Sequence, residues 1–265
     1  MPRPFSAAIL FASLPVLAED AGPQTRELST DRPDKTESPF TVPAGRWQAE
    51  IEAFNFLLDE HGTDAAVARA TGWSAGAVNL KLGLTERLDL QLVLPVWTEQ
   101  ERKFTDGHRE RENGWSDLTV RAKLNLFGND KGSMAMALMP FLSLPAAGGA
   151  FGSDSVEAGL IVPFAAKLGD GWNLGTMIEG DIRREDHRAT YAGIASATLS
   201  HDITERVGGY VEWWNEWTRA GWASTCDVGL TFRVTPNVQL DAGANFGLTR
   251  VADDLVVFTG ISIRY

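Results

Sequence analysis

The chain has 265 residues, with 35 acidic side chains against 24 Lys and Arg and a formal charge of −11. That balance argues against nucleic acid as a partner, and a single cysteine, Cys226, excludes an intrachain disulfide. The length permits one domain or two, and no linker follows Gly45.

Residues 1–18 read as an export leader. Arg3 supplies the positive end, Ala7 to Leu14 the apolar centre, and Val16-Leu17-Ala18 a small-residue cleavage site before Glu19-Asp20. The apolar run is too short to span a bilayer as a helix. No later stretch approaches that length, so the exported chain is either soluble or a closed barrel, the other fold that satisfies its backbone inside lipid. Residues 19–46 are rich in Pro and charge and lack periodicity. Pro33, Pro39 and Pro43 exclude a helix or a central strand there.

From Trp47 to Tyr265 the sequence alternates. The first strand sets Trp47, Ala49, Ile51 and Ala53 against Gln48, Glu50 and Glu52 over Trp47–Leu57. Ser74–Leu84 follows, and then the clearest case, in which Leu88, Leu90, Leu92, Leu94 and Val96 oppose Asp89, Gln91, Val93, Pro95 and Trp97. Trp115–Leu126 repeats the design, before Met134–Leu144, Val156–Phe164, Trp172–Asp181, Tyr191–His201, Val207–Trp217, Trp222–Val234 and Val238–Leu248. The closing strand, Leu255–Tyr265, runs to the chain end and finishes on an aromatic. Cys226 reads as a small apolar residue on one of these strands.

The strands number twelve, the even count of single-chain bacterial barrels. Connections after even-numbered strands are tight, as at Thr85–Arg87 and Thr235–Asn237. Those after odd-numbered strands are mostly longer, as at Leu58–Trp73, Thr98–Gly114 and Ile182–Thr190, with Thr218–Gly221 the exception. Short periplasmic turns and longer extracellular loops are the outer-membrane pattern, and a soluble sandwich has no reason to sort its connections this way. The expected fold is therefore all-β, a transmembrane antiparallel up-and-down barrel of about twelve strands over 47–265.

The non-periodic segment carries a motif: Thr30-Asp31-Arg32-Pro33-Asp34, then Ser38-Pro39, Thr41-Val42-Pro43, Gly45, Gln48 and Glu50. It resembles the outer-membrane family named after the phenol-degradation meta-pathway. The terminal Tyr265 and the strand count extend the likeness to nearly the whole chain. The resemblance implies a transporter role and suggests small organic compounds, aromatic ones among them, although phenol chemistry does not follow from a family name.

Lipid requires the apolar faces to point outward. The lumen then receives Glu50, Glu52, Asp89, Asp117, Glu157, Glu179, Asp181, Glu212, Glu216, Asp227 and Asp241, with Lys81, Arg121, Lys123, Arg233 and Arg264. Acids outnumber bases, so an open lumen would favour cations or polar neutral solutes; a salt-bridge network that fills the barrel is the alternative. Trp172, Trp213, Trp217, Trp222 and Tyr265 fall at strand ends or outward positions and fit an interfacial girdle.

Catalytic and metal signals are weak. His61, His108 and His187 fall in expected loops without ligand spacing, and adjacent Ser200-His201-Asp202 cannot form a relay because neighbours on a strand face opposite ways. The expected function is therefore non-enzymatic and needs no metal or cofactor: a passive outer-membrane channel for small molecules through an acidic, partly constricted lumen. Residues 19–46 would lie at the periplasmic mouth or enter as a plug. The competing readings are a closed structural or binding barrel acting through its extracellular loops and, more distantly, an outer-membrane hydrolase. Lipid is the expected partner of the outer surface, and the barrel-assembly machinery that of the closing strand.

Overall fold

The structure, a computed structural model, describes residues 26–145, 151–185 and 188–265. The leader and residues 19–25 lie outside them, and so does His187. Among the described residues fifteen strands occur: β1 (Trp47–Asp59), β2 (Val67–Ala75), β3 (Ala77–Thr85), β4 (Leu88–Leu94), β5 (Trp97–Phe104), β6 (Arg109–Trp115), β7 (Leu118–Phe127), β8 (Met134–Leu144), β9 (Glu157–Gly169), β10 (Trp172–Glu185), β11 (Arg188–Asp202), β12 (Val207–Thr218), β13 (Gly221–Thr235), β14 (Val238–Gly247) and β15 (Leu255–Arg264). Twelve of them, β1, β3, β4 and β7 to β15, form one antiparallel ring. It closes where β15 pairs with β1, from Gln48 against Arg264 to Leu58 against Leu255. Closure removes the exposed edge that a terminal strand would otherwise present.

The remaining three strands correct the expected loops. Leu58–Trp73 and Thr98–Gly114 are largely strand: β2 pairs with the upper part of β1, β5 with β2, and β6 with β5. Each continues a ring strand past a break, at Gly76 (φ 77°), at Pro95-Val96 and at Ser116-Asp117. A bulge at Ala53 marks the same level on β1, where the Gly76 amide donates to the Glu52 carbonyl at 2.9 Å. The bulge also reverses the facing of β1, so that Phe54, Phe56 and Leu58 share a face with Trp47 and Ile51. Above this level both faces of the ribbon are wet, and charge replaces alternation. Arg109 and Arg111 of β6 reach Glu101 of β5 at 2.8 and 3.1 Å.

Inside the ring, burial is the reverse of that in a soluble protein. Lys123, Gln48, Gln91, Glu212, Asp89 and Asp227 are each less than 2% exposed, whereas Leu82, Leu84, Ile178, Ile182, Val211 and Leu230 are open to the outside. One sector of the lumen departs from this rule. Over one stretch of β8 to β10 the inner face is small or apolar, with Ala135, Ala137 and Met139 buried and Met139, Ile161 and Met177 in contact, before Glu157, Glu179 and Asp181 restore charge to the same strands.

The aromatic residues sit where the outer face meets the interfaces. At the end with short turns Tyr265 stacks on Trp47 and Trp172 on His201, both at 4.4 Å between ring centroids. At the opposite end Trp213, Trp217 and Trp222 share the outer surface of β12 and β13 with two polar side chains. Trp222 Nε1 donates to Asn215 Oδ1 at 3.1 Å and Trp213 Nε1 to Ser224 Oγ at 3.0 Å. The indoles cover these groups, leaving Asn215 only 4% and Ser224 only 1% exposed. Trp222→Phe keeps the ring but strips the Asn215 carbonyl of its donor on a lipid-facing surface. The expected loss is about 1–3 kcal/mol, measured by guanidinium unfolding of the refolded protein. Trp172→Phe, at a ring that stacks without a hydrogen bond from its nitrogen, should change far less.

Candidate functional site

Residues 26–45 lie within the barrel. Three prolines deny this segment a sheet partner, so its backbone polar groups must be met by side chains, and they are met by the lumen. Ser29 Oγ and Ser38 Oγ lie 2.7 Å apart, and the Ser38 amide donates to Asp31 Oδ1 at 2.9 Å. These contacts close Ser29–Ser38 into a compact loop with neighbouring ends. Arg26, near the short turns, donates to the Thr41 carbonyl at 2.8 Å and to Asp130 at 2.5 Å, holding the incoming and outgoing arms together.

Two walls of opposite charge grip the loop. On β3 and β7, Lys81 pairs with both Asp31 and Glu50, Lys123 reaches Asp31 at 2.7 and 3.0 Å, and Arg121 reaches Glu37 at 2.5 Å. Across the lumen, Arg32 reaches Asp241 of β14 at 2.8 Å and Glu52 of β1 at 3.4 Å. Lys35 lies 3.2 Å from Asp227 of β13 and 4.4 Å above the Trp214 ring. Glu212 of β12 accepts from the Lys35 amide at 3.0 Å and from the Thr36 amide at 2.8 Å. The segment thus turns Asp31 and Glu37 to the basic wall and Arg32 and Lys35 to the acidic one. Burial opposes the charge on Asp31, but the Lys123 and Lys81 ammonium groups outweigh it and hold that carboxyl well below the usual range. Asp34 shows the opposite balance, pushed well above the usual range by burial and by the neighbouring Glu212 carboxylate.

Further contacts fix the exit. The Val42 amide donates to Asp89 at 2.9 Å, and Asn125 donates to the Pro39 carbonyl at 2.9 Å. Glycines provide clearance: a side chain at Gly260 would come within 2.5 Å of the Arg32 guanidinium, and one at Gly83 would collide with the Pro43 backbone. Against β10 and β11 the grip is neutral. Thr36 Oγ1 meets Ser196 at 2.6 Å and Thr198 at 2.9 Å, and the Glu37 amide points at Met177 sulfur from 3.5 Å.

Glu52, Lys81, Asp89, Arg121, Lys123, Glu212, Asp227 and Asp241 all touch the segment through the contacts above, and Glu50 accepts from the Asp31 amide at 3.1 and 3.2 Å. Arg264 also touches it, at its start, and the others named from the sequence do not. Glu157, Glu179 and Asp181 line a second space on the far side of the loop apex. Glu216 and Asp181 both pair with Arg183, at 2.9 and 2.8 Å. Asp117 accepts from Ser153 at the break between β6 and β7. Arg264 donates to the Glu27 carbonyl at 3.1 Å, and Arg233 is exposed beside the turn before β14. Sequence reasoning missed Arg183, assigned to a loop although it lies two residues beyond Asp181 and so shares its face. It also gave no lumen role to Arg32 and Lys35 as the counter-charges of the acidic wall.

Two cavities flank the docked loop. One, of about 490 Å³, opens toward the short turns and includes Phe40, Ala135, Ala165, Asn173 and Ser200. The other, of about 470 Å³, lies beyond the apex and includes Arg121, Phe141, Ile161, Met177 and Glu179. Ser200 lines the first cavity while His201 faces outward on Trp172, so these neighbours are separated as their strand demands. His61 pairs with Asp254 at 2.9 Å in exposed connections, and His108 lies 3.6 Å from Glu110. Among the described residues no three His, Cys, Asp or Glu side chains converge to hold a metal.

Residues 30–265 match the family described as "Putative MetA-pathway of phenol degradation". The chain belongs to this family. The match starts at Thr30, inside the docked loop, so the loop and the barrel are one family unit. In structure the chain is similar to the COG4313 outer membrane channel from Pseudomonas putida F1, with a TM-score of 0.63 and 13% identity over 89% of this chain and 100% of that one. It is also similar to the NanC porin, with a TM-score of 0.52 and 10% identity over 80% and 98%. The β domain of the Bordetella autotransporter BrkA matches with a TM-score of 0.52 and 13% identity over 84% and 100%. At such identities these likenesses establish the outer-membrane barrel fold, which hosts more than one activity. No curated protein matches the sequence.

Proposed function

We propose that the protein is a passive outer-membrane channel for small organic molecules, narrowed by its own N-terminal segment. The observation that carries this reading is the shared wall of the two cavities. Both are lined by β8 to β10, where the stretch of inner face between them, at Met139, Ile161 and Met177, is apolar and where the segment makes no ion pair among the described residues. A solute passing there crosses the line between Glu37 and Met177 without breaking the charged grip on the other walls. Apolar side chains at that point suit solutes with an apolar body better than small hydrated ions. In this reading lipid surrounds the apolar band, and the closing strand, ending at Tyr265, engages the barrel-assembly machinery during insertion.

The test is single-channel recording of the refolded protein in a planar bilayer, with reversal potentials under a KCl gradient. Small discrete steps are expected. Met177→Trp should lower the unit conductance roughly twofold or more and Met177→Ala should raise it, because side-chain volume at a constriction sets passage. A folded, heat-modifiable barrel that conducts nothing, with or without these substitutions, would favour the closed structural or binding barrel.

A further inference from the structure

We propose that the cavity beyond the loop apex is a binding site for an organic cation with an apolar, ring-sized body. The inference deepens the channel reading and rests on it for the solute's route. The space measures about 470 Å³, within the range of small-molecule sites. Its apolar part comes from Phe141, Ile161 and Met177, contiguous on three adjacent strands. Its polar part is unbalanced. Each cation present is already engaged: Lys35 by Asp227, Arg121 by Glu37, and Arg183 by Asp181 and Glu216. Glu157 and Glu179 have no cationic partner among the described residues.

A second, independent observation points to a missing donor. Asp181 is only 5% exposed and lines this cavity, yet its Oδ1 accepts no hydrogen bond. Glu37 Oε2, on the same cavity, is likewise buried without a donor. Unfilled acceptors on buried carboxylates are costly in a protein interior. An ammonium group offers a positive charge and up to three donors, and so answers the charge deficit directly and the unfilled acceptors once those side chains turn toward the cavity. Anions meet this excess of acids and are repelled. Neutral aromatics can occupy the apolar face but leave the carboxylates as they were.

The experiment is calorimetric titration of the full-length, refolded protein in detergent at neutral pH and low salt. Three probes of one shape are compared: benzylammonium, benzyl alcohol and benzoate. Saturable binding of the amine is expected, with the alcohol about tenfold weaker and benzoate weaker still. Glu179→Gln should lower the amine's affinity about tenfold and leave the alcohol unchanged. Should that variant fold poorly, Glu157→Gln provides the same comparison. Equal affinity for amine and alcohol, no binding of the amine, or indifference of a folded variant would each overturn the proposal. Calorimetry needs no current, so the two readings fail separately. Amine binding in a barrel that never conducts removes the channel and keeps the site, whereas conduction without amine binding removes the site alone.

Discussion

Asp31→Asn is expected to unseat the N-terminal segment, and the reason lies in what the substitution leaves behind. Lys123 is about 1% exposed, and Asp31 is its only ion-pair partner among the described residues. Removing the carboxylate charge strands that ammonium in a place from which water is excluded. Breaking a buried pair from one side costs about 3–5 kcal/mol, enough to shift docking by two orders of magnitude or more. Lys81 fares better, because Glu50 remains beside it. The pairwise prediction is therefore asymmetric. Asp31→Asn with Lys123→Met should regain much of the docking, since the orphaned charge is gone. Asp31→Asn with Lys81→Met should not, because it strips Glu50 of its cation as well. Protease accessibility of residues 26–45 in the refolded barrel measures docking directly. Equal accessibility in all three variants would sink the argument. The sign of the pH dependence follows from the same contacts. Docking depresses the Asp31 pKa, so its contribution is present above the undocked carboxyl value of about 4. It is lost only as the pH falls through the lower, docked value. Mild acid should leave this anchor intact.

The ring was legible because lipid imposes one rule on every strand that crosses it. Leu88 to Val96 and Leu255 to Tyr265 alternate cleanly, since one face meets hydrocarbon and the other the lumen. The same rule explains the misses. β5 and β6 rise above the bend, where neither face meets lipid, and their pairing is carried by Glu101 with Arg109 and Arg111. Opposite charges across a short connection were the available signal. The bulge at Ala53 was invisible, since a single inserted residue in an apolar run leaves no mark except a change of parity. Alternation placed Lys81, Arg121 and Lys123 on lumen-facing positions but could not show that they cluster on one wall. That grouping depends on which strands are neighbours across the ring, and on a segment dozens of residues earlier in the chain. The apolar inner face of β8 to β10 was masked for a related reason. Ala135, Ala137, Met139, Ile161 and Met177 read as lipid-facing residues whichever way they point, so the reading of an acidic lumen named none of them.

Tethering the loop apex to the wall should leave the conductance of the channel unchanged, because solute passes beside the docked segment. Thr36 Oγ1 and Ser196 Oγ are 2.6 Å apart, close enough that cysteines at both positions can form a disulfide with little movement. Cys226 would first be replaced by Ser to leave no competing thiol. If the segment is a fixed constriction, oxidation changes nothing, and the small steps persist whether the bridge is open or closed. If the segment undocks to pass solute, the oxidised protein is silent and reduction restores current. Deleting residues 26–45 marks the other limit. The ring still closes through β1 and β15, and Glu52, Asp227 and Asp241 lose the cations that Arg32 and Lys35 supplied. Lys81 and Lys123 lose Asp31 at the same time, but the strand acids remain in excess. The open barrel should therefore conduct several-fold more than the intact one and select cations more strongly. Unchanged conductance on deletion would mean that the narrowest point lies elsewhere, and the wall at Met177 would then be the first place to look.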